Sequence, residues 1–131
     1  MKTLTLALAL TALPVSALAE GDPPLGADAF EALVQGKTMD TRNSGGLYGV
    51  ETFLPGRRAI WRDATQCLEG TWRAEGDMIC FDYIGEPKPY CWSYHDRGGW
   101  LMARLDGDRA TGPILLYPSR DFVTCDGFPV S

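Results

Sequence analysis

The residues best suited to nucleophilic catalysis are a serine and the single histidine of the chain. Ser93 and His95 are separated by one residue, so on a strand they share one face, where an imidazole can activate a hydroxyl. His95 precedes the turn signal Asp96-Arg97-Gly98-Gly99, which favours an exposed position. No G-x-S-x-G segment surrounds a serine, as a nucleophile elbow would require. We interpret His95 as a surface histidine and predict no catalytic residue.

Two aspartates offer a second kind of chemistry, because closely spaced carboxylates bind cations or act as acid and base. Asp106 and Asp108 flank Gly107. This pattern is above all typical of a turn, and a calcium site would need several further oxygen ligands that the segment lacks. We predict a turn there and no metal site.

Glu51 is a third candidate, because it interrupts an otherwise apolar, β-prone run. A two-residue turn at Pro55-Gly56 would place it opposite Ile60 on the next strand. If the side chain pointed inward, it would need Arg58 or Arg62 as partner, since a lone buried carboxylate is unfavourable. We expect instead an ion pair across the outer face of the sheet.

The four cysteines indicate oxidation rather than metal binding. They stand at Cys67, Cys80, Cys91 and Cys125 without any C-x-x-C pair, and only one histidine accompanies them. A zinc site needs a different spacing and more ligands. An even number of cysteines in an exported chain predicts two disulfides.

The first 19 residues support export. Lys2 is followed by the apolar run 4–13, Pro14 and the small residues around Ala19, which is the pattern of a secretory signal peptide cleaved after Ala19. We therefore expect no membrane insertion after cleavage. The remaining chain carries 11 basic against 17 acidic side chains, an acidic balance that argues against nucleic acid as a partner.

Short β-prone runs separated by glycine-rich turns make up most of the remaining chain. After a flexible leader at 20–26, the pattern predicts one short helix at 27–35, in a single domain that covers 27–131. Strands are predicted at 37–42, 46–54, 57–63, 69–75, 78–84, 89–95, 99–105 and 112–118. Short turns pair neighbouring strands antiparallel. The fold class is therefore all-β: an up-and-down meander of about eight strands that forms a small barrel.

The register of the central strands is constrained by their alternation. Placing Glu75 opposite Met78, and Cys80 opposite Cys91, brings the aromatic residues of three strands to one face. Those residues are Trp72, Phe81, Tyr83, Tyr90, Trp92 and Tyr94. The same register favours a Cys80–Cys91 disulfide on the outer face, and by exclusion a Cys67–Cys125 disulfide. The pairings 67–80 with 91–125, and 67–91 with 80–125, remain open.

The interior aromatic residues are the remaining functional candidates. With Trp61, the residues Trp72, Phe81, Tyr83, Tyr90, Trp92 and Tyr94 either line a cavity for a small apolar ligand or fill the barrel. A barrel of this size favours a filled interior. Trp100 falls on the outer face, where an exposed tryptophan would serve as a contact with a partner protein.

Two sequence patterns resemble known families. Gly70-Thr71-Trp72 resembles the G-x-W tripeptide of lipocalins and other calycins. The longer pattern of 50–56, Trp61, the four cysteines and 79–83 resembles an uncharacterised family of small exported proteins of Gram-negative bacteria, especially alphaproteobacteria. This resemblance implies a periplasmic or secreted, disulfide-containing, calycin-like β fold. It implies no catalytic residue and no cofactor.

These observations favour a non-enzymatic binding or interaction module. Its partner would be an unknown protein or a small apolar ligand. The alternative is an inhibitor of a protease or cell-wall hydrolase. In its general plan the chain is similar to small periplasmic barrels that inhibit metalloproteases, in which an N-terminal segment enters the protease cleft, and the leader at 20–26 would have that role here.

Overall fold

The chain forms a closed antiparallel barrel of eight strands with one short helix. The computed structural model describes residues 21–129, so the predicted signal peptide at 1–19 lies outside the described residues. The elements are α1 (Ala27–Val34), β1 (Thr38–Asn43), β2 (Gly46–Leu54), β3 (Arg58–Arg62), β4 (Cys67–Glu75), β5 (Met78–Tyr83), β6 (Tyr90–Asp96), β7 (Leu101–Leu105) and β8 (Ile114–Ser119). Each strand pairs with its neighbours in sequence, and β8 pairs with β1. The predicted fold class is confirmed.

The central strands β4, β5 and β6 have the predicted register. Glu75 pairs with Met78, and Cys80 pairs with Cys91. The disulfides are Cys80–Cys91, within the β5–β6 pair, and Cys67–Cys125, which spans 58 residues of sequence. Both predicted disulfides are therefore confirmed, and the open alternatives are excluded.

The turn between β2 and β3 differs from the prediction. Leu54 pairs with Arg58, so the turn has three residues, and both Gly56 and Arg57 have positive φ angles of 78° and 56°. The additional turn residue shifts the register by one, which places Glu51 opposite Trp61 instead of Ile60. Because side chains alternate between the faces of a strand, this pairing places Glu51 on the same face as Trp61.

Helix α1 closes one end of the barrel, called the closed end below. Phe30 is fully buried there, and its ring centroid lies 5.1 Å from that of Trp72 and 4.5 Å from that of Tyr94. Arg57 stacks on Trp72 at 4.8 Å and pairs with Glu31 of the helix at 3.3 Å. Gly26 is the N-cap of α1, without a side-chain cap. The helix is therefore fixed by its buried face and by Arg57.

The segment after β8 crosses the outer wall beside β2 and β3. The Val123 amide donates to the Thr52 hydroxyl at 3.1 Å, and Arg62 donates to the Thr124 carbonyl at 2.9 Å. The Cys67–Cys125 disulfide holds the same segment to the first residue of β4. This segment covers Thr52, which faces outward and is nevertheless buried.

Candidate functional site

The end of the barrel opposite α1, called the open end, contains a cavity of about 120 Å³. Strands β1 to β6 and β8 all contribute side chains to its wall. Its aromatic lining comprises Tyr48, Phe53, Trp61, Phe81, Tyr83, Tyr90, Trp92 and Tyr94, and its other lining residues are Thr41, Glu51, Gln66, Leu68, Ile114 and Leu116. Six of the seven predicted interior aromatic residues are among them. Trp72 is not, because it packs against Phe30 at the closed end. The expected filled interior is thus present only in the closed half.

Glu51 is the unexpected residue of this cavity. Its side chain points into the barrel and is 5% exposed, and its Oε1 accepts a hydrogen bond of 2.7 Å from the Tyr83 hydroxyl. The predicted outer-face ion pair is therefore wrong. Neither arginine considered as an inward partner contacts Glu51, because Arg62 binds the Thr124 carbonyl on the outer wall and Arg58 is exposed.

Burial determines the ionisation of these groups. Loss of hydration raises the pKa of Glu51 to about 8, and the hydrogen bond from Tyr83 offsets only part of that effect. Burial and the nearby Glu51 carboxyl together raise the pKa of Tyr83 and of Tyr94 well above the usual range. At neutral pH the cavity thus contains a protonated Glu51 beside the neutral phenols of Tyr83 and Tyr94.

Two local features bring Tyr48 and Trp61 to the cavity. The β1–β2 ladder shifts between Thr41 and Arg42, which leaves Tyr48 as the extra residue of a bulge. Trp61 lies directly over Gly49, where an added Cβ would approach the ring to 2.2 Å. The centroids of the Tyr48 and Trp61 rings are 5.2 Å apart. The alternation of a regular strand does not predict the position of Tyr48.

The loop between β3 and β4 holds Trp61 in place. The indole Nε1 of Trp61 donates to Asp63 Oδ2 at 2.8 Å, and Asp63 Oδ1 accepts from the Thr65 and Gln66 amides at 2.8 and 3.0 Å. One carboxylate therefore orients the indole and the loop that carries Gln66. Such fixed side chains preorganise a cavity for a ligand.

The rim of the open end is apolar. Four of the large hydrophobic side chains that are exposed among residues 21–129 lie at the strand ends around it: Leu47, Tyr48, Tyr90 and Leu105. Tyr90 is 40% exposed while it also lines the cavity. The cavity therefore opens to solvent through an apolar, aromatic rim.

A second cluster lies on the outer wall of β6. His95 is 6% exposed, so the prediction of a surface histidine is wrong. Its Nε2 lies 3.3 Å from Ser93 Oγ, and its Nδ1 lies 3.4 Å from Asp22 Oδ1 without a hydrogen bond between them. Asp22 pairs with Arg97, which lowers the pKa of that carboxyl to about 2.

This cluster attaches the leader to the barrel. The Leu25 amide donates to the Tyr94 carbonyl at 2.7 Å, and Asp22 contacts His95 and Arg97. Ser93 is 6% exposed, whereas a nucleophile must meet its substrate. The groups of Ser93, His95 and Asp22 follow the order of hydroxyl, imidazole and carboxylate in a catalytic triad. The burial of Ser93 and His95 and the contacts of all three side chains support a structural role instead, in which they hold the segment that leads into α1.

The other candidate residues make contacts that stabilise the fold. Asp108 accepts hydrogen bonds of 2.8 Å from the Ala110 amide and the Thr111 hydroxyl, as in the predicted turn. Within residues 21–129, side chains of the kinds that bind metal ions come together only at Glu75, Cys80 and Cys91. The sulfurs of these two cysteines are bonded to each other. Trp100 precedes β7, and it is half-buried by stacking on Tyr117 at 5.5 Å, not freely exposed.

A functional assignment for this chain has to be based on the geometry of its structure. No family model, curated protein or solved structure matches this chain. In the part of the chain that the structure describes, no helix has the length and hydropathy needed to cross a bilayer. The two disulfides fit a protein that folds outside a reducing cytoplasm.

Proposed function

We propose that this protein is a non-enzymatic binding protein that takes a small ligand into the cavity at the open end. The observation that carries this proposal is the buried carboxyl of Glu51 in the wall of an aromatic cavity whose lining contains no basic side chain. Buried ionisable groups with strongly shifted pKa values concentrate at functional sites. A glutamine at this position would accept the same hydrogen bond from Tyr83 and would avoid the stability that a buried glutamic acid loses as the pH rises above its ordinary pKa.

The size of the cavity restricts the ligand. Its volume of about 120 Å³ is close to the roughly 150 Å³ of an engineered cavity that binds benzene, and below the roughly 300 Å³ at which drug-sized sites begin. The ligand that enters fully has roughly half a dozen non-hydrogen atoms. Haem and the full chain of a fatty acid are too large to enter this cavity.

Export to the periplasm is part of the proposal. The pattern of residues 1–19 supports it, and the two disulfides are in keeping with an oxidising compartment. The contacts of the leader favour a structural role over that of an inhibitory segment. Asp22 and Leu25 bind it to β6 and Arg97, whereas a segment that enters a protease cleft must project from the barrel.

The proposal predicts that a small molecule binds inside the barrel and that filling the cavity prevents this. A set of neutral, cationic and anionic molecules of up to about eight non-hydrogen atoms is added while the indole NMR signals of Trp61 and Trp92 are followed. At least one member should shift both signals saturably. The Leu68→Phe variant places a larger side chain in the cavity and should abolish the shifts.

The matched control is Ile84→Phe, which adds an aromatic ring at a site that is 77% exposed on the outer wall and does not line the cavity. It should retain the saturable shifts, and near-ultraviolet circular dichroism should show that both variants are folded. A set in which no molecule shifts the indole signals would contradict the proposal. So would shifts that persist unchanged in Leu68→Phe.

A further inference from the structure

We infer that the ligand of the open-end cavity is a small organic cation, with its ammonium group against the Glu51 carboxylate and its hydrocarbon part against the aromatic wall. This inference rests on the proposed function and specifies the ligand class. It depends on three observations about the cavity: its charges, its free hydrogen-bond acceptor and its rings.

The charges favour a cation. Among all the residues that line the cavity, Glu51 is the one acidic side chain, and no lysine, arginine or histidine lines it. An anion would meet no positive group to replace its hydration, whereas a cation meets a carboxyl in a site of low dielectric constant. The overall acidic balance of 12 basic against 17 acidic side chains acts in the same direction.

The hydrogen bonds leave an acceptor for the ligand. The Tyr83 hydroxyl donates to Glu51 Oε1, and no other side-chain hydrogen bond to the Glu51 carboxyl occurs within residues 21–129. The second carboxylate oxygen is thus available to an ammonium N–H, which forms a short, charge-assisted hydrogen bond. Because its proton already points to Glu51, Tyr83 presents its oxygen lone pair and its ring to the cavity.

The rings complete the site for a cation. Tyr48 and Trp61 stand on one side with centroids 5.2 Å apart, and Tyr83 and Tyr90 on another with centroids 6.1 Å apart. The faces of such rings carry negative partial charge and attract ammonium groups within about 6 Å. Several aromatic rings around one carboxyl form the arrangement that recognises ammonium ligands.

Proton exchange follows from the burial of Glu51. The titratable side chains that line the cavity together with Glu51 are Tyr48 of β2, Tyr83 of β5, and Tyr90 and Tyr94 of β6, and all four are phenols. Since the pKa of Glu51 is about 8 in the empty cavity, a cation that binds at lower pH must displace its proton. Affinity for a quaternary ammonium should therefore rise with pH until about pH 8 and then level off.

The test compares choline, n-butylamine and 3,3-dimethylbutan-1-ol, which is the uncharged isostere of choline. Isothermal titration calorimetry at about pH 6.5, in two buffers of different ionisation enthalpy, gives the affinity and the number of protons released. We expect at least one of the two cations to bind at least about tenfold more tightly than the isostere. We also expect the release of close to one proton.

The Glu51→Gln variant keeps the shape of the cavity and should lose at least about tenfold in affinity for the bound cation, together with the proton release. Equal affinity for the alcohol and the cations would overturn the inference while the proposed function stands. The same holds if another neutral or anionic molecule shifts the Trp61 and Trp92 signals and neither cation binds. If no molecule binds inside the barrel, both the inference and the proposed function fail.

Discussion

The difference in free energy of unfolding between the Glu51→Gln variant and the unsubstituted protein is expected to grow with pH, by about 5 kcal/mol in favour of the variant from about pH 4 to about pH 9. The reason is the difference between the pKa of Glu51 in the folded protein, about 8, and its ordinary value of 4.5. A difference of this size corresponds to about 1.4 kcal/mol for each pKa unit. This gain is a large part of the about 5–15 kcal/mol that stabilises a typical domain.

The direction of this pH dependence follows from which state of the protein, folded or unfolded, binds the Glu51 proton more tightly. Between pH 4.5 and about 8, the folded protein keeps the Glu51 proton and the unfolded chain loses it. The folded state therefore binds more protons, and stability falls as the pH rises through this window. Below the window both states are protonated and the penalty is absent. Glutamine does not titrate, so the variant lacks this loss.

Urea denaturation at several pH values measures the effect as the difference between the two proteins, which removes the titration of all other groups. Glu69→Gln is the control, because Glu69 lies exposed on β4, and its difference should stay within about 0.5 kcal/mol. A Glu51→Gln difference that is constant from pH 4 to pH 9 would mean that the carboxyl is not buried as the structure has it.

The second large effect is expected at the closed end. Phe30→Ala should lower the free energy of unfolding by about 3–5 kcal/mol, as for other large aromatic side chains removed from a core. Phe30 is fully buried and contacts three aromatic rings, those of Phe53, Trp72 and Tyr94. Alanine retains the propensity of α1 to form a helix, so the loss reports packing of the helix against the barrel.

Asp28→Asn is the control for Phe30→Ala, because both residues lie on α1. Urea denaturation gives the free energy of unfolding of each variant. Asp28 is 99% exposed and forms an ion pair of 3.2 Å with Arg57, and exposed pairs contribute little. We expect a change within about 0.5 kcal/mol for Asp28→Asn. If Phe30→Ala were equally mild, α1 would not close the barrel through Phe30.

The central meander could be predicted because local rules determine it. Short turns join β4, β5 and β6, and a shift of one residue in register would turn every side chain of a strand to the other face. Placing the aromatic residues on one side therefore favoured the pairing of Cys80 with Cys91, which the structure confirms. The Cys67–Cys125 disulfide then followed by exclusion, as the structure confirms.

Glu51 was misplaced for a local reason that the sequence does not reveal. Pro55-Gly56 is typical of a two-residue turn, but Arg57 extends it with a positive φ angle, which is uncommon for a residue other than glycine. The contacts of Arg57 with Glu31 and Trp72 accompany that conformation. These contacts join residues distant in sequence, so no local pattern predicts them.

The burial of His95 and the presence of the cavity depend on tertiary structure. His95 is covered by Asp22, which is 73 residues earlier in the chain. The cavity exists because α1 fills only one end of the barrel, while a bulge brings Tyr48 to the other. The sequence identified most of the aromatic lining through alternation, but not the empty space between those side chains.

The most direct measurement of the central claim is the pH titration of the Glu51 side-chain carboxyl carbon by NMR, with the signal assigned through the Glu51→Gln variant. The empty protein should show a midpoint at about pH 8. With whichever of choline or n-butylamine binds present at saturation, the midpoint should fall below about pH 5.5, because the cation favours the ionised carboxylate. A midpoint near the ordinary 4.5 in the empty protein, or a midpoint that neither cation moves, would contradict a buried carboxyl that receives a cationic ligand.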